Sequence, residues 1–284
     1  MAMDRRAFLL GASALGVAAC AAPERDLLEP YEGLDVPLQP GVTGAPGATV
    51  EAIPDSVATT GTRPITPMQA LIDSVEPADD RVGLSFVALA RPGVTSIDVA
   101  ETPGGPTAWT FSNPIESGDH LRFLVEDYDG GDFYRVLIPT RPNGSFGWIR
   151  QGDVNLLRHN HRIDVNLDEF RLTLFSHDQV IFETTVGVAR DNAPTPLGVY
   201  YTTELLKPVT PNSVYGAFAY GLSGFSDTFV TFNGGPGQLG IHGTNDPETL
   251  GTNVSAGCIR LHNDDITRMV DEFKVSPGVP VEMI

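Results

Sequence analysis

Two periods of apolar and polar residues run along the chain, and stretches that follow neither separate them. From Arg162 to Leu167 the residues alternate strictly, the mark of a half-buried strand. Phe170 to Phe175 and Gln179 to Val188 continue in the same manner around Ser176-His177-Asp178, which predicts a hairpin turn, and Val199 to Thr203 and Leu239 to His242 predict further strands. The period changes once near the end. Ile266, Met269, Val270 and Phe273 recur at i, i+3, i+4 and i+7, a core-facing helix with Asn263 as N-cap, Asp264 and Asp265 in its first turn and Pro277-Gly278 as its stop; Val279 to Ile284 predicts a last strand. Upstream, between Leu84 and Asn155, apolar stretches such as Ser85 to Leu89, Leu121 to Val125 and Tyr134 to Ile138 alternate with Gly, Pro and Asp clusters, the spacing of a small β barrel or sandwich.

The remaining stretches are equally informative. Residues 21–80 are read as a tether, rich in Pro, Gly, Ala and acidic residues up to Thr66, with one short helix expected from Met68 to Val75. Lys207 to Ser226 follow no period and are too long for a simple connector, which predicts either a lid carrying Tyr215, Phe218 and Tyr220 or a loop packed onto its own domain. At the start, Asp4-Arg5-Arg6 precedes an apolar run to Ala19 that is shorter than a membrane span, so residues 1–20 read as a signal peptide. The organisation expected is therefore a leader (1–20), a tether (21–80), a small β domain (81–157) and a mainly β final domain (158–284).

Charge and cysteine content narrow the function. A formal net charge of −18 with no basic stripe excludes a nucleic-acid binder. The chain has only two cysteines, Cys20 and Cys258. If Cys20 is spent on lipidation, the other cysteine of an exported protein calls for an explanation, and reactivity supplies one.

Candidate chemistry gathers in Gly240-Ile241-His242-Gly243-Thr244 and Val254-Ser255-Ala256-Gly257-Cys258-Ile259-Arg260-Leu261. An ordinary thiol is only about 3% ionised at pH 7, so a cysteine nucleophile needs a base beside it. His242 precedes Cys258 by sixteen residues, the separation of a neighbouring strand end across a loop. Gly257 permits a tight turn, from which the N–H groups of Ala256, Gly257 and Cys258 can face an oxyanion. Ser255 is expected to brace this loop, and Arg260 either to anchor a substrate carboxylate or to structure the loop. A zinc site from His242, Cys258 and His262 is the competing reading, but it lacks a fourth ligand and paired-ligand spacing, so no metal or other cofactor is expected. His177, His120, His159 and His161 read as solvated residues of polar segments.

These motifs, together with Ala193-Pro194-Thr195-Pro196-Leu197-Gly198-Val199-Tyr200 and Phe232-Asn233-Gly234-Gly235-Pro236-Gly237, resemble the signature of the YkuD-type L,D-transpeptidases over about residues 160 to 284. Many members carry His where this chain has Ala256. The resemblance implies a β-sandwich catalytic domain with a short helix after the cysteine, a Cys258 nucleophile, His242 as base oriented by the Gly243 carbonyl, an oxyanion site at Ala256 and Gly257, and substrate contacts from Ser255, Arg260 and Tyr215. It implies peptidoglycan stem peptides as partners and β-lactams, carbapenems above all, as inhibitors. Asp132 to Ile149 resembles a bacterial SH3-like domain. Val17-Ala18-Ala19-Cys20 is similar to a lipobox and Arg5-Arg6 to a twin-arginine signal, which together imply an exported lipoprotein anchored to the membrane through Cys20. Water in place of an acceptor amine gives a carboxypeptidase, and a non-catalytic wall-binding lipoprotein is the alternative from another class.

Overall fold

The computed structural model describes residues 66–210, 212–231 and 235–284, with the backbone of two short strands at 28–30 and 39–40. The signal peptide, the lipobox with Cys20, most of the tether and Phe232-Asn233-Gly234 lie outside the described residues.

The fold is mainly β, as expected. Strand β1 (Leu28–Pro30) joins the second of two large sheets. The first sheet comprises β2 (Gln39–Pro40), β3 (Ser85–Ala90), β4 (Ser96–Ala100), β5 (Thr107–Ser112), β6 (Arg122–Tyr128), β7 (Phe133–Leu137), β8 (Phe146–Arg150) and β9 (Val154–His159). Their order is β2-β9-β3-β6-β7-β8-β4-β5, antiparallel throughout. Phe86, Ile97, Phe123, Val136 and Ile149 fill its core, and Tyr134 is buried there with its ring 5.5 Å from that of Tyr128. Helix α1 (Pro67–Asp73) starts at Thr66, whose Oγ1 accepts from Gln69 N, and it packs Met68, Leu71 and Ile72 onto this core. Residues 67–75 thus belong to the first domain's core rather than to the tether.

The second sheet contains β10 (His161–Asn166), β11 (Arg171–Ser176), β12 (Gln179–Thr185), β14 (Gly198–Pro208), β15 (Ala219–Phe225), β16 (Gln238–His242), β18 (Ile259–Arg260) and β19 (Pro280–Met283), while β13 (Val188–Ala189) and β17 (Asn253–Ser255) form a separate parallel pair. Its order is β12-β11-β10-β19-β14-β15-β16-β18, with β1 beside β14. The β11–β12 hairpin turns at His177 and Asp178, with φ of 52° and 57°, two successive left-handed residues as a two-residue hairpin demands. Helix α2 (Asn263–Asp271) buries Ile266, Met269 and Val270 against the sheet.

Three expectations change. The aperiodic stretch from Lys207 to Ser226 contains a full strand, β15, and only residues 209–218 connect it to β14. Its glycines hid the pattern because neighbouring side chains lie where their Cβ atoms would be: at Gly224 a Cβ would meet Tyr200 Cε1 at 2.3 Å. The helix cap is His262, whose Nδ1 accepts from Asp264 N at 3.3 Å, rather than Asn263. Helix α2 also stops before Phe273, and the chain turns away at Lys274 with φ 54°, ahead of Pro277-Gly278.

The sheets meet along a polar and apolar seam. Arg141 donates from Nη2 to the carbonyls of Ser226 (3.0 Å), Phe229 (3.3 Å) and Pro236 (2.9 Å), and its guanidinium lies 4.8 Å from the Phe225 ring centre. Asn143 exchanges both amide bonds with the Phe225 backbone, Tyr201 Oη donates to Arg122 O, and Tyr201 packs on Leu124 and Leu137. His159 and His161 are corrections here. The first has both ring nitrogens enclosed, and burial pushes its pKa down to about 4, with the charge of His161 adding to this and the Gly278 and His161 backbone opposing it. His161 lies half-buried in β10, with its pKa also lowered by burial.

Candidate active site

Strand pairing brings the candidate base and nucleophile together. Strands β16 and β18 run parallel with Ile241 beside Ile259 and His242 beside Arg260, so Cys258, just before β18, stands level with Gly240. A Cβ on Gly240 would lie 3.7 Å from Cys258 Sγ, an ordinary contact distance, and 3.0 Å from Tyr220 O, so the sulfur packs directly over this glycine. Leu261 N donates to His242 O at 2.8 Å, which continues the pairing past the site. Cys258 and His242 are buried and line one pocket with Tyr215. The sulfur is in its disulfide-bonded state in this structure, so the chemistry below is that of the reduced thiol.

The nucleophile's turn is fixed from within. Ser255 is fully buried; its Oγ donates to Cys258 O at 2.6 Å and accepts from Gly257 N at 3.2 Å. That places Ser255 in the loop's framework and removes it from the substrate contacts expected of it. The same hydroxyl engages the Gly257 N–H, one of the donors expected at the oxyanion, inside the loop. Gly257 has φ 133°, and a Cβ there would stand 2.9 Å from Leu239 Cδ2, so the turn requires glycine. Its carbonyl accepts from Thr195 Oγ1 at 2.8 Å, a tie from the Pro194-Thr195-Pro196 turn that the sequence reading did not assign.

His242 Nδ1 lies 2.6 Å from the carbonyl oxygen of Gly243. With Nδ1–H donating there, Nε2 keeps a lone pair and serves as the acceptor. Burial pushes the imidazole's pKa down to about 4, and the nearby Arg260 cation adds to this, while the Gly243 carbonyl opposes it. Tyr215 stands edge-on to the imidazole, centroids 5.1 Å apart, and packs on Leu206 and Ala219, so the expected lid tyrosine forms a wall of the pocket. Arg260 is buried on β18, its backbone exchanging two hydrogen bonds of 2.9 Å with Gly187, and its charge faces Arg190, Asp246 and Tyr215.

Asn263 is the functional neighbour that sequence reasoning mistook for a helix cap. Its Oδ1 accepts from Ala217 N and Thr244 N, both at 3.1 Å, and a Cβ on Gly216 or Gly243 would collide with it. One amide oxygen therefore fastens the Tyr215 segment to the loop that orients His242. The available signal was the spacing: Gly216 and Gly243 each precede a residue whose N–H turns inward.

A sequence profile described as the L,D-transpeptidase catalytic domain of YkuD matches residues 160–283. The YkuD protein of Bacillus licheniformis, named as an L,D-transpeptidase, is 30% identical over 162 residues, covering 55% of this chain and 88% of that protein. The chain belongs to the YkuD family of L,D-transpeptidases. A second YkuD protein, from Bacillus subtilis, is 30% identical over 109 residues, 38% of this chain and 58% of the relative. Among solved structures, an Enterococcus faecium L,D-transpeptidase is 20% identical with a TM-score of 0.34, covering 44% of this chain and 49% of that one, so this chain spans about half its length. The L,D-transpeptidase LdtMt1, solved with imipenem, is 14% identical with a TM-score of 0.37, covering 74% and 86%. In this YkuD-family chain the profile match takes in every strand of the second sheet except β1 and leaves the first sheet outside it.

Proposed function

We propose that the protein is a peptidoglycan L,D-transpeptidase acting through a thioester on Cys258. The observation that carries this is the His242 side chain, whose Nδ1 is held by the Gly243 carbonyl one strand away from the cysteine. In the reduced protein, Cys258 passes its proton to His242 Nε2 and the sulfur attacks the carbonyl between the third and fourth residues of a tetrapeptide stem. An S–C bond forms and the tetrahedral oxyanion faces the backbone N–H groups of the turn other than that of Gly257, which Ser255 Oγ engages. Collapse breaks the C–N bond, His242 returns the proton to the departing D-alanine amine, and a thioester remains. An acceptor amine then attacks, forms the amide and restores the thiol. Burial above all, with the Arg260 cation adding to it, keeps the imidazole neutral between steps.

The same reading makes the protein an exported lipoprotein held through Cys20, with residues 81–157 as an SH3-like spacer or wall-binding domain. Mass spectrometry of products from tetrapeptide stems with reduced protein tests the activity: D-alanine release with cross-linked dimer supports transpeptidation, release with free tripeptide alone makes the protein a carboxypeptidase, and intact stems refute both.

A further inference from the structure

The turn that carries the nucleophile contains three consecutive peptides, and a hydroxyl holds each of them. Ser255 Oγ accepts from Gly257 N at 3.2 Å, which fixes the Ala256–Gly257 peptide, and donates to Cys258 O at 2.6 Å, which fixes the Cys258–Ile259 peptide. The peptide between them is held from outside the loop. Thr195 Oγ1 donates to its carbonyl, Gly257 O, at 2.8 Å across a separation of 62 residues. This middle peptide has the most freedom to turn over, since it follows a glycine at φ 133° with no Cβ to oppose rotation. It is also the peptide whose N–H belongs to Cys258.

Thr195 is built to stay in place. Its side chain is buried, and the flanking prolines restrict the backbone on both sides, Pro194 by its own fixed φ and Pro196 by disfavouring the helical region for Thr195. Tyr200 Oη donates to Pro196 O (3.1 Å) and Leu197 O (3.3 Å), and Arg190 N donates to Ser255 O at 3.0 Å, so the 190–197 turn and the nucleophile's loop are tied at more than one point. A planar trans peptide points its carbonyl and its N–H in opposite directions. With Gly257 O turned to Thr195, the Cys258 N–H faces the other way. Turned over, the same peptide would present a carbonyl oxygen where the donor had been and repel a developing negative charge. The hydroxyl also polarises the peptide, which strengthens the N–H at its far end as a donor.

We propose that Thr195 is a positioning residue for acyl transfer, holding the Gly257–Cys258 peptide so that the Cys258 N–H donates to the oxyanion formed at the attacked carbonyl. This rests on the thioester reading above and adds a residue, outside both motifs that supply the base and the nucleophile, that sets the oxyanion site. Ser255 engages the Gly257 N–H, so the Cys258 N–H carries more of the charge.

The test compares two reactions of the reduced Cys258 thiol. With p-nitrophenyl acetate the sulfur attacks a carbonyl: an S–C bond forms, an oxyanion develops, the C–O bond breaks and nitrophenolate leaves. With iodoacetamide the sulfur displaces iodide at a saturated carbon, and no oxyanion forms. Thr195→Val keeps the side chain's shape and loses the donor. Its acylation should slow about 10- to 100-fold, less than the about 10²- to 10³-fold loss of an oxyanion donor removed outright, while its alkylation stays within about twofold of wild type. Thr195→Ser should restore acylation, and with tetrapeptide stems the loss in Thr195→Val should fall on kcat rather than KM. Equal slowing of both reactions would make Thr195 a brace of the thiol, and unaltered acylation would mean the peptide stays fixed without it; either overturns the proposal. A wild type that is alkylated but never acylated has no oxyanion site to position and overturns it as well. Slowed acylation with normal alkylation, in a protein that never turns over tetrapeptides, would uphold Thr195 and reject the substrate, so the two failures are distinct. Should Thr195→Val not fold, Thr195→Ala is compared with Thr195→Ser in its place, and a serine variant that acylates no faster than the alanine one overturns the proposal.

Discussion

Acidification is the perturbation that most directly probes the environment of His242. An ordinary imidazole with a pKa of about 6.5 is about 90% protonated at pH 5.5, whereas one at about 4 is about 3% protonated and still able to accept a proton. The acid limb of kcat/KM, measured with a tetrapeptide donor and reduced enzyme, should therefore fall near pH 4. The shift also bears on stability. The folded pKa lies below the unfolded one, so the contribution is complete above about pH 6.5, is lost as pH falls from 6.5 toward 4, and changes no further below that. A depression of this size corresponds to about 3 kcal/mol, and His159, also pushed down to about 4, contributes a similar amount at the domain seam. Chemical denaturation at pH 7 and pH 4 should show His242→Gln and His159→Gln each flattening the pH dependence by that order. An acid limb centred near 6.5, or variants as acid-sensitive as wild type, would refute the buried, neutral imidazole.

Asn263→Ala leaves the amides of Ala217 and Thr244 without their shared acceptor, and we expect a loss of about 2 to 4 kcal/mol in denaturant unfolding together with a lower kcat, whereas Asn263→Asp should restore most of the stability. Arg141→Ala removes three bonds to the loop at 226–236, next to the turn of Gly257, so we expect kcat/KM to drop several-fold with the first sheet's own unfolding unchanged; an unaltered rate would mean the seam does not support the site. Cys20→Ala should move the protein from the membrane fraction to the soluble one, and a non-reduced peptide map of wild type linking Cys20 to Cys258 in place of a lipid would contradict the anchor.

Legibility in the sequence followed how local each determinant was. The strand at β10 and the core face of α2 were readable because alternation and the 3.6 period are local properties of Arg162 to Leu167 and of Ile266, Met269 and Val270. The pairing of His242 with Cys258 was readable from spacing, since a strand end and a glycine turn leave few other arrangements. Strand β15 was not, because Gly221 and Gly224 answer to Glu204 and Tyr200 from the next strand. Asn263 carries a cap's residue type at a cap's position, and only the folded chain shows its oxygen turned toward two distant amides. His159 looked solvated among polar neighbours, because its enclosure is made by the folded chain and one of its contacts, the backbone at Gly278, lies more than a hundred residues away.

The central claim is a covalent acyl bond on Cys258, and intact-protein mass spectrometry after exposure to a carbapenem measures it directly. Attack on the strained ring opens it without a leaving group, so the reduced wild type should gain the mass of one drug molecule and Cys258→Ala should gain none, with His242→Ala labelled more slowly by about 10² to 10⁴. An adduct on Cys258→Ala, or a wild type that turns over tetrapeptide stems while no peptide map ever shows a modified Cys258, would contradict the account.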